Sequence, residues 1–195
     1  MRYAIFIPII LLLGCTPQIV MLDNNQNVVG VMNATISNDA ECKWVIGEYG
    51  AWLPDPKCSP GSHFPFMNLQ INGEYIQSPG GAIVGDICVS GYTKNVRDVS
   101  QKTKKIVYSM YGVLSHQTGE WEMDHIIPLT LGGDNDIKNL YPQPLFPKPG
   151  FRQKDVCESC LNDKVCGGQM TLMDAQVIMA RNWTQCLSIC NVKWQ

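Results

Sequence analysis

The chain has 195 residues, 45% of them apolar and 16% charged, with 15 lysines and arginines against 17 aspartates and glutamates. That is too apolar for a disordered chain and too short for two large domains, and a formal charge of −2 excludes a strongly basic nucleic-acid coat while leaving room for a local basic patch. A domain of this size buries about 70% of the surface of its unfolded chain, so the nine cysteines are not needed to hold a core together.

Residues Met1 to Cys15 comprise one basic residue, Arg2, an apolar run from Ala4 to Leu13, and Gly14-Cys15. The run, about 10 residues long, is half of what a bilayer span requires and sits where a secretory signal has its apolar region; a buried N-terminal strand is the competing reading. Leu12-Leu13-Gly14-Cys15 resembles a bacterial lipobox. The resemblance implies a signal peptide over residues 1–14, lipidation at Cys15, and an exported lipoprotein of the cell envelope. Eight cysteines then remain: Cys42, Cys58, Cys88, Cys157, Cys160, Cys166, Cys186 and Cys190. In an oxidising compartment an even number reads as up to four disulfides, whose pairing cannot be obtained by counting. A zinc site at Cys157, Cys160, Cys186 and Cys190 is the alternative.

Residues 15–52 are polar and turn-rich, with short apolar runs at 28–32 and 44–46, and read as an N-terminal tether or extension before a domain over 53–195. Residues 53–65 contain four prolines and read as a loop. Residues 83–89 suit a buried strand. Ser100 can cap a helix with an apolar ridge at Ile106, Val107, Met110 and Tyr111, which Gly112 ends. The lead-in and polar face of that helix carry Lys94, Arg97, Lys102, Lys104 and Lys105 against Asp98 alone. This stretch either attracts a phosphate backbone or is a solvated helix face. Residues 121–131 read as extended and broken at Pro128. A Gly-Gly-Asp-Asn turn and a short return over 137–141 complete a hairpin with a long loop. Pro142, Pro144, Pro147 and Pro149 then forbid regular structure until Arg152. A helix follows to Val165, and another starts after Thr171, with Leu172, Ala175, Met179 and Trp183 at helical spacing.

The histidines are His63, His116 and His125. His125 lies in DHIIPLTLGGDNDIKNLYPQ: a carboxylate precedes it, a Gly-Gly loop follows, and Asn139-Leu140 closes the stretch. This stretch resembles the motif of HNH, or ββα-metal, endonucleases. The segments CSPG (58–61), ICVSGYTKNVR (87–97), KKIVYSMYG (104–112), NLYPQP (139–144), KDVCE (154–158) and VCGGQMTLMDAQ (165–176) extend the likeness over most of residues 53–183, to a bacterial family of small exported HNH-type proteins. It implies an α+β fold: a ββα-metal hairpin-plus-helix unit with flanking helices, stapled by disulfides.

Hydrolysing a phosphodiester requires a base to activate water and a cation to meet the charge that grows on the phosphoryl oxygens. Imidazole, with a pKa near 6.5, is largely neutral at pH 7 and can take the proton. The resemblance makes His125 that base, Asp124 a divalent-metal ligand, and Asn139 a metal ligand or the residue that orients the loop. Hard oxygen ligands favour Mg²⁺, or Mn²⁺, over zinc. Adjacent residues of a strand face opposite ways, so Asp124 and His125 share a site only where the strand bends or ends. One departure stands out: the wider superfamily's second histidine, on the helix, has no counterpart after His125. Glu158 is the candidate replacement, an ordinary surface carboxylate being its other reading. Glu122, on the same strand face as Asp124, is a further candidate ligand, and Lys154 a phosphate contact.

The expected function is that of a metal-dependent endonuclease with little sequence specificity. It would act on DNA more readily than RNA, as a monomer held to the membrane by its lipid. Two other classes stay open: a catalytically inactive nucleic-acid-binding or uptake protein on the same fold, and an envelope lipoprotein that acts by protein contact, as in exclusion or immunity.

Overall fold

The computed structural model describes residues 9–11, 18–22, 28–62, 69–71, 74–76 and 82–194. Cys15 and most of the expected signal peptide lie outside the described residues, as does His63. No described helix is long and apolar enough to cross a membrane.

Strands β1 (Ile9–Leu11), β2 (Gln18–Leu22) and β3 (Val28–Met32) form an antiparallel sheet in chain order. Then come β4 (Thr35–Ile36), the paired β5 (Val45–Ile46) and β6 (Trp52–Leu53), and the paired β7 (Leu69–Ile71) and β8 (Glu74–Ile76). Three helices follow: α1 (Val84–Ile87), α2 (Tyr92–Val96) and α3 (Gln101–Met110). Strand β9 (Val113–Ser115) returns to pair with β4. Strands β10 (Trp121–His125) and β11 (Leu140–Pro144) form an antiparallel hairpin, and α4 (Phe151–Cys166), α5 (Leu172–Asn182) and α6 (Gln185–Ile189) close the chain. The fold is α+β, as expected.

Several helix ends obey the local rules that foretold them. The Ser100 side chain accepts from the Thr103 amide to start α3, and Thr171 accepts from the Asp174 amide to start α5; each cap satisfies a donor that the first turn leaves open. One apolar cluster, Met32, Ala34, Val107, Tyr111, Val113, Trp121, Ile126, Leu140 and Tyr141 among others, lies beneath the β10–β11 hairpin. A second, with Leu131, Leu161, Val165, Ala175, Met179, Trp183 and Leu187, joins the loop after β10 to α4, α5 and α6.

All eight described cysteines pair, as Cys42–Cys58, Cys88–Cys166, Cys157–Cys186 and Cys160–Cys190, with Cα separations of 5.7 to 6.2 Å. The four cysteines weighed for zinc are therefore two disulfides tying α4 to the C-terminal segment, and among the described residues no thiolate is left to bind a metal.

Three expectations need correction. Residues 83–89 are not a strand: the Asp86 carboxylate accepts from the Ile83 amide and closes the turn that opens α1. Only Ile87 of that helix is buried, and Val84 and Val89 face solvent. The boundary at residue 53 does not mark a change in packing. Met32, Ala34 and Cys42 are core residues, and the Trp44 indole N–H donates to the Pro142 carbonyl, so residues 32–52 pack as part of the domain. Pro142 and Pro144 lie inside β11 rather than barring it. They have the same parity in a two-stranded ladder, where alternate amides point away from the partner, so neither removes a rung.

Candidate active site

The hairpin loop is held from several sides. Asn139, fully buried, accepts through Oδ1 from the amides of Ile127 (2.9 Å) and Ser62 (3.2 Å) and donates through Nδ2 to the carbonyls of Ile127 (2.9 Å) and Asp134 (2.8 Å). Both lone pairs and both hydrogens of the amide are thus committed to backbone. Of the two roles considered for Asn139, these bonds describe the one that orients the loop. Ser62 Oγ also donates to Asp134, and the Gly61 amide to the Lys138 carbonyl, so CSPG serves as a backing strip. From the helices, Asn162 donates to the Thr130 carbonyl and Gln176 to the Leu131 carbonyl. Gly132 adopts φ 75°, where a side chain would be strained, and a Cβ at Gly133 would overlap the Ile127 carbonyl. The Gly-Gly pair meets two distinct demands, a left-handed turn and a close backbone approach.

Asp124 and His125 end β10 on opposite sides, as strand alternation requires. Asp124 lies opposite Tyr141 in the ladder, and its carboxylate accepts from Lys154 of α4 at 2.9 Å. The His125 ring meets Asn135 of the loop instead, Nε2 to Oδ1 at 3.2 Å. The two residues are joined through backbone. Asp124 Oδ1 accepts from the His125 amide (2.7 Å), and Lys154 donates to the His125 carbonyl (2.7 Å).

The protonation of the ring follows from its neighbour. Asn135 donates through Nδ2 to the Val96 carbonyl at 2.7 Å. A carbonyl can only accept, so the amide end facing Val96 is the NH₂ and the oxygen faces His125. Neutral His125 therefore carries its hydrogen on Nε2, and the lone pair lies on Nδ1, which has no hydrogen-bond partner among the described residues. Burial pushes the imidazole down to about 4, against the Asn135 bond and the Asp124 charge, with Arg97 and Lys154 adding to the fall. The ring is neutral at pH 7 and 3% exposed.

On the α4 side, Lys154 is completely buried and spends all three ammonium hydrogens, on Asp124 Oδ2, the His125 carbonyl and Glu158, one helical turn away. Burial acts to lower its pKa, but the two carboxylates outweigh burial and hold it above the ordinary lysine value. Glu158 is raised by burial, with the Lys154 charge opposing. Glu122 and Asp155 are exposed near this cluster, and each carboxyl is raised by partial burial and by neighbouring carboxylates.

The residues offered for a divalent ion do not fit one as they stand. Asp124 and Glu158 converge, but on an ammonium, and Asn139 is committed elsewhere. Among the described residues no group of three or more His, Cys, Asp or Glu is arranged to hold a metal ion. Lys154, taken from sequence as a phosphate contact, is corrected to a buried residue with no free hydrogen. Lys94, Arg97, Lys102 and Lys105 are exposed and Lys104 is half-buried, with Lys102 and Lys105 sharing a groove with Glu41. Arg97 alone of this set acts on the His125 ring. Sequence reasoning missed Asn135, although it stands in the quoted loop ten residues after His125; only a view of Val96 reveals its task. No protein-family model, curated protein or solved structure matches this chain.

Proposed function

We propose that the protein is an exported, lipid-anchored nuclease of the HNH, or ββα, type that hydrolyses nucleic-acid phosphodiesters, DNA in preference to RNA, with little sequence specificity. The observation that carries this reading is the meeting of hairpin and helix at His125, a buried neutral imidazole whose tautomer Asn135 sets and whose backbone Asp124 and Lys154 fix.

In this reaction Nδ1 of His125 takes a proton from water. The water oxygen bonds to phosphorus, and the bond from phosphorus to the leaving sugar oxygen breaks, that oxygen taking a proton from solvent water while the imidazolium returns its own proton to solvent. Arg97, beside the ring, and Lys94, exposed on α2, offer positive charge to the phosphate backbone. Such contacts position a chain without reading its bases. Four disulfides support export.

The test is incubation of the purified mature protein with plasmid DNA and with RNA, in EDTA or in Mg²⁺, beside His125→Ala. The variant is expected to keep the wild-type circular dichroism and to lose about 10²- to 10⁴-fold in rate; full cleavage by it would refute the mechanism. A nucleic-acid-binding protein without catalysis is the second reading, favoured by the ammonium standing where the resemblance places a metal. Retained DNA binding with no cleavage in any buffer would select it.

A further inference from the structure

We infer that Lys154 is the resident cation of this site, seated between Asp124 and Glu158 in place of a divalent metal ion. Three features support this. The ammonium has three hydrogens, and all are accepted, by two carboxylates and the His125 carbonyl, as a bound cation would be. It is fully buried beneath carboxylates whose side chains are 13% and 17% exposed, so it belongs to the interior and does not reach in from the surface. Lys154 and Glu158 stand one turn apart on α4, so one helix supplies both the charge and half of its seat.

A divalent ion placed against the same two carboxylates would meet a fixed positive charge at close range. Asn139 is committed to the loop, and among the described residues no third His, Cys, Asp or Glu is arranged with Asp124 and Glu158 to hold a metal ion. Lys154 is accordingly a positioning residue. It holds the Asp124 carboxylate and the His125 peptide in place and touches no substrate. The site then needs no metal between Asp124 and Glu158. This extends the nuclease reading, but the seat itself can be tested without activity.

The experiment is Mn²⁺ titration of the mature protein followed by electron paramagnetic resonance, using wild type, Lys154→Ala, Lys154→Arg and Asp124→Asn. Wild type and Lys154→Arg are expected to leave the free Mn²⁺ signal unchanged, whereas Lys154→Ala, with two carboxylates released, gains a site at least about tenfold tighter. Stoichiometric Mn²⁺ binding by wild type that Asp124→Asn abolishes overturns the inference, and that comparison stands even where Lys154→Ala does not fold. In the activity arm, wild-type cleavage in EDTA within about twofold of that in Mg²⁺ supports the inference, and cleavage abolished by EDTA and restored by Mg²⁺ overturns it. Absence of cleavage under all conditions refutes the nuclease reading and leaves the Mn²⁺ result to decide the seat.

Discussion

Replacing Asn139 by alanine or by aspartate separates a loop staple from a metal ligand. Alanine removes all four bonds of the amide. Ile127 is 4% exposed, so neither its N–H nor its C=O can recover a water partner, whereas Ser62 and Asp134 are half-buried and can. An unmet buried backbone group costs ~1–3 kcal/mol, so two of them give ~3 kcal/mol as a working figure. In a domain of this size each kcal/mol shifts Tm by about 2–4 °C, so Asn139→Ala should melt about 6–12 °C below wild type. Aspartate keeps an oxygen for the two amides but turns a second oxygen toward the carbonyls of Ile127 and Asp134, where a donor is required. It should therefore be no more stable than alanine. If Asn139 instead ligated a metal, aspartate would be the better ligand and the variant would hold its stability and activity. Thermal unfolding by circular dichroism, with hydrogen exchange at the Ile127 amide, reads both outcomes. An Asn139→Ala protein melting within about 2 °C of wild type, or an active and stable Asn139→Asp protein, refutes the staple.

Three further outcomes follow from the geometry. Gly133→Ala must displace the loop from the Ile127 carbonyl and should cost ~3 kcal/mol or more, seen as a melting loss comparable to that of Asn139→Ala; an unchanged Tm contradicts the close approach. Alkylation without reduction should leave Cys42, Cys58, Cys88, Cys157, Cys160, Cys166, Cys186 and Cys190 unlabelled. The double change Cys157→Ala with Cys186→Ala should lose about 2–5 kcal/mol in denaturant unfolding, and labelling of the native protein at any of the eight counts against the pairing. Asn135→Ala frees the ring to carry its hydrogen on either nitrogen. Long-range ¹H–¹⁵N NMR should show a single Nε2–H form in wild type and a mixture in the variant, with kcat reduced about tenfold or more and KM little changed; an Nδ1–H form in wild type refutes the tautomer assignment.

What the sequence made readable was local. Caps at Ser100 and Thr171 and the helical spacing after Thr171 depend on neighbours a few residues away, the hairpin around the Gly-Gly loop on partners 15 to 23 residues away, and they stand in the structure. The even cysteine count implied disulfides, but the partners, up to 78 residues apart, are set by tertiary packing. Met32, Ala34 and Cys42 gave no sign of belonging to the core because the partners of the segment around them, β9 and the Pro142 carbonyl, lie about 80 to 100 residues away. Lys154 was misplaced for a related reason: a lysine is by default a surface residue, and only the two carboxylates that meet over it make its burial tolerable. Ile83 to Val89 misled because a short apolar run has no period long enough to tell a strand from a helix.

The charge pattern of the site constrains how a polyanion could reach His125. Glu122, Asp124, Asp155 and Glu158 act on one another on the α4 side, with Arg152 and Lys154 as counter-charges. A phosphate approaching there meets more negative than positive charge. The His125 ring lies on the other face of β10, against Asn135, with Val96 and Arg97 at the end of α2 beside it. Alternation along a single strand thus separates two settings, carboxylates beside a buried ammonium on one face and, on the other, a neutral imidazole that feels the charge of Arg97. On the proposed nuclease reading, the neighbours at the C-terminus of β10 make a slightly acidic chain compatible with a phosphodiester substrate: Asp124 and Lys154 act on the His125 peptide from one face, and Arg97 supplies positive charge to the ring.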